Sequence, residues 1–492
     1  MNQPPVPITD SNIELEPDPN RVILRFFAPG LEDAGPGDSR AAQVIARIRA
    51  LSDIDAADAM RSLEERFSAR HTDLTETFDR HATLAGCRSA TDPSPQRSRL
   101  LGATFTHEYA IEAAALCNPS IVAHPLQPDN GEVAFVLSTR GIGEGHRSSI
   151  GFRTGAIATD GRIRIDPPGP RPRTADAEPT THHRGVLHRK LRALNDDHEN
   201  AAFVLNSLPE HFSDDQLRQR LAALAADAAT RRHTTTTIAN LELLAQCSYR
   251  VEFPPSSDLS ERVLWPQSPV ETHGMEDARF VEITDGSAPR YCATYTAYDG
   301  STINQNLLTT EDFVSFEMSP MAGPAAHGKG LALFPRRVGG RFVALSRADR
   351  ETNSIAYSDD LRCWDSATTI QTPRRAWEAL QLGNCGSPIE TAEGWLVLTH
   401  GVGPMRTYSI AAILLDLHEP HRVLGSLEQP LLTPPADRPG GYVPNVVYTC
   451  GALAVGDLLV IPHGIGDRTI AVATLSLSAL LGAIQPPPHT QT

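Results

Sequence analysis

Five segments of this chain repeat one form: a short apolar strand that ends in a polar or charged residue and a turn. They are EVAFVLSTRG (132–141), RYCATYTAYDG (290–300), RFVALSRADR (341–350), WLVLTHGVGP (395–404) and DLLVIPHGIGD (457–467). Three are followed by a companion with a Ser/Thr and acid turn: IATDGRI (157–163), LTTEDFVSF (308–316) and AYSDDLRCW (356–364). A repeated strand pair of this length in an all-β region means a propeller or a sandwich array, because one unit alone cannot bury its apolar face. Five copies predict a mainly β fold, a five-bladed β-propeller, with an N-terminal helical segment and a helical insertion.

The remaining segments set the expected boundaries. Residues 1–37 read as an extended N-terminal arm, with VILRFF (22–27) as an edge strand. Residues 38–100 are a helical segment in which Val44, Ile48 and Leu51 share one face and Met60, Leu63 and Phe67 another; Asp38 and Asp53 are the expected N-caps. Residues 101–165 are the expected first blade. Residues 166–246 are a Pro-rich loop and a helical insertion, where Ser213 and Gln216 form a capping box. Residues 247–480 are the remaining blades, and 481–492 a disordered tail.

Charge and composition narrow the function. A net charge of −15 over 492 residues argues against nucleic acid, since a phosphate backbone repels such a surface. No basic leader with an apolar core opens the chain, and no apolar run spans a bilayer. The seven cysteines are scattered, with no C-x-x-C. These features predict a cytoplasmic protein without membrane partners, and no metal site or cofactor.

In a propeller the strand ends converge on a shared pocket. That singles out Arg140, Tyr295, Arg347, His400 and Asp467, with Glu276 and Asp277 at the start of the strand in HGMEDARFVEI (273–283). A Gly-rich run, GIGEGHRSSIGFRTG, adds His146, Arg147 and Arg153; AAHGKGLALFPRR adds His327 and Lys329. Converging Arg and Lys suit an oxyanion such as phosphate; the plain alternative is that each pairs with a surface acid. Glycoside hydrolysis needs two carboxylates, but only Asp277 stands out, with Glu390 and Asp467 as candidates for a second. A reaction in which inorganic phosphate attacks the sugar needs one acid and a basic cluster.

The stretches CNPSIV (117–122), VLSTRG (136–141), HGMEDARF (273–280), YTAYDG (295–300), HGKGLALFP (327–335), SPIETAEGWLVLTHGV (387–402), NVVYTCG (445–451) and HGIGD (463–467) resemble glycoside hydrolase family 130, the β-mannoside phosphorylases and related β-mannosidases. The resemblance covers roughly 101–165 and 247–480 and implies a five-bladed propeller. It implies that Asp277 is the general acid, delivering its proton through a mannose hydroxyl. Asn118, Arg140, His400 and Asp467 match positions that hold the sugar, and Lys329 and Arg347 the phosphate side. Here Ala278 stands where the family usually has proline, and Thr399 where tyrosine is common.

Three functions follow. The first is inverting phosphorolysis of β-1,2- or β-1,4-linked manno-oligosaccharides to α-mannose 1-phosphate, with phosphate as co-substrate. In it Arg147, Arg153, Lys329 and Arg347 bind phosphate, and Asn118, Arg140, Glu276, Tyr295, Glu390, His400 and Asp467 the sugar. The second is a β-mannoside hydrolase; the third is a non-catalytic carbohydrate-binding propeller. The phosphate argument requires Arg140, Lys329 and Arg347 to converge on Asp277. The helical segments are candidates for a homo-oligomer interface.

Overall fold

The structure is a computed structural model that describes residues 5–27, 40–86, 94–227, 231–284 and 290–486. It divides into two compact units: residues 1–17, 114–168 and 174–492, and residues 18–113 with 169–173.

The larger unit is mainly β. Apart from the short pair His182–His183 with His211–Phe212, its described strands fall mainly into five antiparallel meanders in chain order. The first holds Ala115–Ala123, Val133–Ile142, Ser148–Ile157 and Ile163–Ile165. The second holds Gly274–Ile283, Arg290–Tyr298, Ile303–Thr310 and Ser315–Pro320, and one parallel pairing of Gly274 with Ser148 joins it to the first. The third is built on Phe342–Ser346 and Asn353–Ser358, and the fourth on Gln381–Asn384, Trp395–Gly403 and Thr407–Leu415. The fifth is built on Leu458–Ile465 and Thr469–Ser476, and Thr9–Leu15 from the start of the chain completes it. Each of the five repeated segments supplies the second strand of a meander.

The strand Trp395–Gly403 shows why these sequences stack. Every residue in it is buried. Trp395 and Val397 pack with Val343, Leu345 and Ile355 of the third meander, while Leu396 and Leu398 pack with Leu459 and Ile461 of the fifth. Period-2 alternation thus sends successive side chains into two cores. A strand buried on both faces reads as a continuous apolar run, and each buried Val or Leu contributes about 1.5–3 kcal/mol.

The insertion lies within this unit as helices Arg184–Ala193, Glu199–Leu205, Asp214–Ala226 and Thr234–Ala245, around Leu191, Leu205, Leu221 and Leu241. The capping box is formed: Gln216 N–H donates to Ser213 Oγ and Ser213 N–H to Gln216 Oε1.

The smaller unit pairs Val22–Phe26 with Thr106–Ala110 and packs helices Arg40–Arg49, Asp53–Phe67, Leu74–Leu84 and Pro95–Thr104 around Met60, Phe78 and Leu100. This corrects the start of the first meander from 101 to 115. Residues 100–104 end the helix Pro95–Thr104, and Gly102 lets that helix pack closely on Phe78, whose carbonyl oxygen would lie 1.8 Å from an added Cβ. VILRFF belongs to a two-stranded ribbon, not to the edge of a larger sheet. Ser52, not Asp53, caps the second helix, its side chain accepting from Asp55 N–H. The expected tail is structured to 485, where Gln485 and Ser426 exchange backbone hydrogen bonds. Asp38 and the residues from 487 onward lie outside the described residues.

No helix among the described residues is long and apolar enough to cross a membrane. Six of the seven cysteines are described, and all six are buried.

Candidate active site

Two matching bulges build the centre of the site. In Gly274–Ile283, Glu276 pairs with Thr296 and Arg279 with Thr294, so Asp277 and Ala278 together face the single residue Tyr295. In Ala115–Ala123, Cys117 pairs with Arg140 and Ser120 with Ser138, so Asn118 and Pro119 face Thr139. The first residue of each bulge is left-handed, Asp277 at φ 56° and Asn118 at φ 49°. Asn and Asp tolerate this region better than other side chains, and a bulge there re-aims a side chain. That explains the adjacent acid pair. Strict alternation would point Glu276 and Asp277 to opposite faces; the bulge turns both into one cavity.

That cavity has a volume of about 520 Å³, within the usual size of a small-molecule site. A groove of about 630 Å³ lined by Gly131, Asp160 and Asp457 is larger, but it gathers no cations, so chemistry rather than volume selects the site. Six cationic side chains line the cavity among the described residues, Arg140, Arg279, Lys329, Arg347, Arg350 and Arg406, against the carboxylates of Glu276, Asp277 and Asp467. The cavity is therefore positive inside a chain of charge −15.

Asp277 is buried. Asn118 Nδ2 donates to its Oδ1, and Arg140 Nη1 lies 3.3 Å from the same oxygen. Arg140 also donates to Glu276 at 2.7 Å and to Ser148 Oγ at 2.9 Å. Lys329 holds the other oxygen of Glu276 at 3.2 Å. Arg279 donates to Asp277 O, Cys385 O and Tyr448 Oη. Burial pushes the Asp277 carboxyl up, but Arg140, Arg279, Lys329 and the Asn118 amide outweigh it and hold it at about 2.

Arg347 is different. Its Nε donates to Leu382 O at 3.2 Å and its Nη2 to Arg350 O at 3.1 Å. No carboxylate among the described residues lies within ion-pair distance of it. Asp349, close enough to feel its charge, is turned onto Thr352. Burial lowers the Arg347 pKa, and Arg279 adds to that. A partly buried guanidinium without a counter-charge is a ready anion site.

Gly383 makes room for it, since a Cβ there would lie 2.0 Å from Arg347 Nε. Gly383→Ala should displace the guanidinium and raise the KM for the anion it binds about tenfold or more. Steady-state kinetics against phosphate checks this.

His400 is buried and its Nδ1 has no hydrogen-bond partner among the described residues. Burial, then Arg347 and Arg279, push its pKa well below the ordinary value, so the imidazole is neutral. Asn118 Oδ1 is likewise buried without a partner. Both can meet the hydroxyls of a sugar. Asp467, left-handed at φ 46°, sits on the same cavity; burial pushes it up to about 6, aided by the Asp277 and Glu276 charges.

The structure thus brings together Asn118, Arg140, Glu276, Asp277, Lys329, Arg347, His400 and Asp467. Five sequence candidates do not line the cavity, His327 and four with a ligand role expected from the sequence. Tyr295 is fully buried and donates to Glu271 Oε1 at 2.5 Å within the core; Tyr298, three residues on, lines the cavity instead. Glu390 is paired with Arg336 at 2.6 and 2.8 Å outside the cavity. Arg147 lies over the Trp265 ring, 5.7 Å from its centroid. Arg153 is buried in its sheet and donates to Phe152 O. Sequence reasoning missed Arg279, Arg406, Tyr408 and Tyr448. Arg279 had a signal, since it lies two residues beyond Asp277 on the same strand.

One group among the described residues, His183, Asp360 and Cys363, places metal-type donor atoms within 4.8 Å of one another. Val186 N–H donates to His183 Nδ1. That leaves the ring proton on Nε2, the atom 3.3–3.4 Å from Glu210 and Asp360, so the ring is a neutral imidazole with its N–H facing these carboxylates, and burial lowers its pKa.

A sequence model of the β-1,4-mannooligosaccharide phosphorylase family matches residues 247–485. The 1,2-β-oligomannan phosphorylase of Thermoanaerobacter sp. (strain X514) is 32% identical over 225 residues, 44% of this chain and 74% of that protein. The β-1,2-mannobiose phosphorylase of Listeria innocua is 31% identical over 229 residues, 45% of this chain and 63% of that protein. The solved Listeria innocua β-1,2-mannobiose phosphorylase, in complex with β-1,2-mannobiose, superposes with a TM-score of 0.46 at 22% identity, covering 76% of this chain and 93% of that one. On the sequence matches, the chain belongs to glycoside hydrolase family 130, the family of the β-1,4-mannooligosaccharide phosphorylases.

Proposed function

We propose that the protein is an inverting β-mannoside phosphorylase acting on β-1,2- or β-1,4-linked manno-oligosaccharides. The observation that carries this is Arg347, a partly buried guanidinium without an ion-pair partner among the described residues, on the same cavity as Asp277. The activities of its relatives, which are β-1,2- and β-1,4-mannooligosaccharide phosphorylases, support it.

A phosphate oxygen attacks the anomeric carbon of the terminal mannose. The glycosidic C–O bond breaks and Asp277 supplies the proton that the leaving oxygen takes up. The proton that phosphate loses on becoming an ester balances the one the leaving group gains. The products are α-mannose 1-phosphate and a chain one sugar shorter. Asn118, Arg140, His400 and Asp467 hold the mannose; Arg347 and Lys329 hold phosphate. Glu390 lies outside the cavity, so hydrolysis would have to recruit Glu276 or Asp467. Glu276 is tied to Arg140 and Lys329.

The fold that fits is a five-bladed propeller with this cavity at its centre. Each meander supplies part of the lining: Asn118 and Arg140, then Asp277, then Lys329 and Arg347, then His400, then Asp467.

Asp467 gives a pH dependence. Its carboxyl titrates at about 6, and its ionised form accepts sugar hydroxyls. kcat/KM for the oligosaccharide at saturating phosphate should rise with pH through about 6. Asp467→Asn should remove that limb; a limb that survives the substitution contradicts the assignment. Incubation with manno-oligosaccharides and phosphate, assayed for mannose 1-phosphate, tests the function itself.

A further inference from the structure

Two hairpins at the cavity share one unusual geometry. In each, a glycine in extended backbone leads into a single 3-10 turn whose last two residues are left-handed. In the first meander the turn follows Gly143, with Gly145 at φ 66° and His146 at φ 59°. In the fourth it follows Gly403, with Met405 at φ 57° and Arg406 at φ 55°. The leading glycines match closely, at φ −107° and ψ −157° against φ −109° and ψ −161°. His146, Met405 and Arg406 are not glycine, so left-handed backbone strains each of them. In both hairpins the second left-handed residue lines the cavity.

Neither His146 nor Arg406 takes part in the interactions around Asp277. Both are exposed. His146 stacks on Tyr442, with ring centroids 5.4 Å apart and planes at 15°, and its Nδ1 meets the Tyr442 hydroxyl. Tyr442, itself 39% exposed, also lines the cavity. The cavity therefore has a buried end around Asp277 and a solvent-facing rim that includes these two aromatic rings and the Arg406 guanidinium.

We propose that His146, Arg406 and Tyr442 form the subsite for the leaving-group sugar. This rests on the phosphorylase reading. A terminal mannose at the buried end must send the rest of its chain toward solvent, past this rim. Flat, rigid rings give apolar contact to a sugar face at small entropic cost, and a guanidinium offers several donors to hydroxyls. The paired rings hold one another in place, so little ordering remains when a sugar binds.

The test compares His146→Ala, Tyr442→Ala, Tyr442→Phe and Arg406→Ala on a mannotriose, on phosphate and on β-mannosyl fluoride, which carries no leaving-group sugar. The expected result is a rise in mannotriose KM of about tenfold for the three alanine variants, with the phosphate KM unchanged. The loss should be much smaller with the fluoride, and Tyr442→Phe should restore most of the wild-type KM. An unchanged mannotriose KM, an equal loss on both donors, or a raised phosphate KM would overturn the assignment. If the wild-type protein makes no mannose 1-phosphate from either donor, the phosphorylase reading itself fails, and the subsite falls with it.

Discussion

Asp277→Asn should lower the rate of phosphorolysis by about three orders of magnitude, the middle of the range that a positioned general acid contributes. Asn accepts the left-handed conformation of this position, and its amide oxygen can still meet Asn118 and Arg140. The loss should therefore appear in kcat with the fold intact. β-Mannosyl fluoride supplies the control. Fluoride leaves without a proton, so the variant should turn it over far better than an oligosaccharide. A loss below tenfold on the oligosaccharide would place the acid elsewhere. The electrostatics add a requirement: with Asp277 held at about 2 by its cationic neighbours, the protein alone carries it ionised at neutral pH. Phosphate bound beside Arg347 and Lys329 would cancel part of that positive field and raise the Asp277 pKa. Linkage then makes phosphate binding and Asp277 protonation mutually favourable.

Arg347→Ala removes a cation that no carboxylate among the described residues balances. Truncating a buried charge that meets an opposite charge costs about 2–5 kcal/mol, which raises the phosphate KM by roughly 30-fold to several thousand-fold. The fold should tolerate the change, because the carbonyls of Leu382 and Arg350 lose only a donor at the cavity wall. Phosphate titrations of the initial rate check it. An unchanged phosphate KM would mean that phosphate sits elsewhere. Glu390→Gln is the contrast, since Glu390 is paired with Arg336 on the surface, and it should leave the rate within twofold.

The repeat was legible because apolar runs buried on both faces leave an unmistakable trace; all five repeated segments are strands. Arg140, Lys329 and Arg347 were readable as a converging set because each lies at a strand end or in the loop before a strand. Tyr295 was misread because strand length, not composition, decides which residue reaches the cavity. Its strand runs on to Tyr298, and Tyr295 packs in the core with Phe280 and Met318. Asn118, Asp277 and Asp467 could not be aimed from period 2 at all, since left-handed backbone at each of them resets the side-chain direction. Arg147 and Arg153 looked like phosphate ligands by composition, yet one lies over Trp265 and the other inside its sheet. The boundary at 101 failed because a helix with a close-packing glycine carries the same apolar residues as a strand.

The most direct test of the account incubates the purified protein with β-1,2- and β-1,4-linked manno-oligosaccharides, with and without inorganic phosphate, and assays for mannose 1-phosphate and free mannose. α-Mannose 1-phosphate is expected only when phosphate is present. Free mannose released at equal rates in both conditions would contradict it.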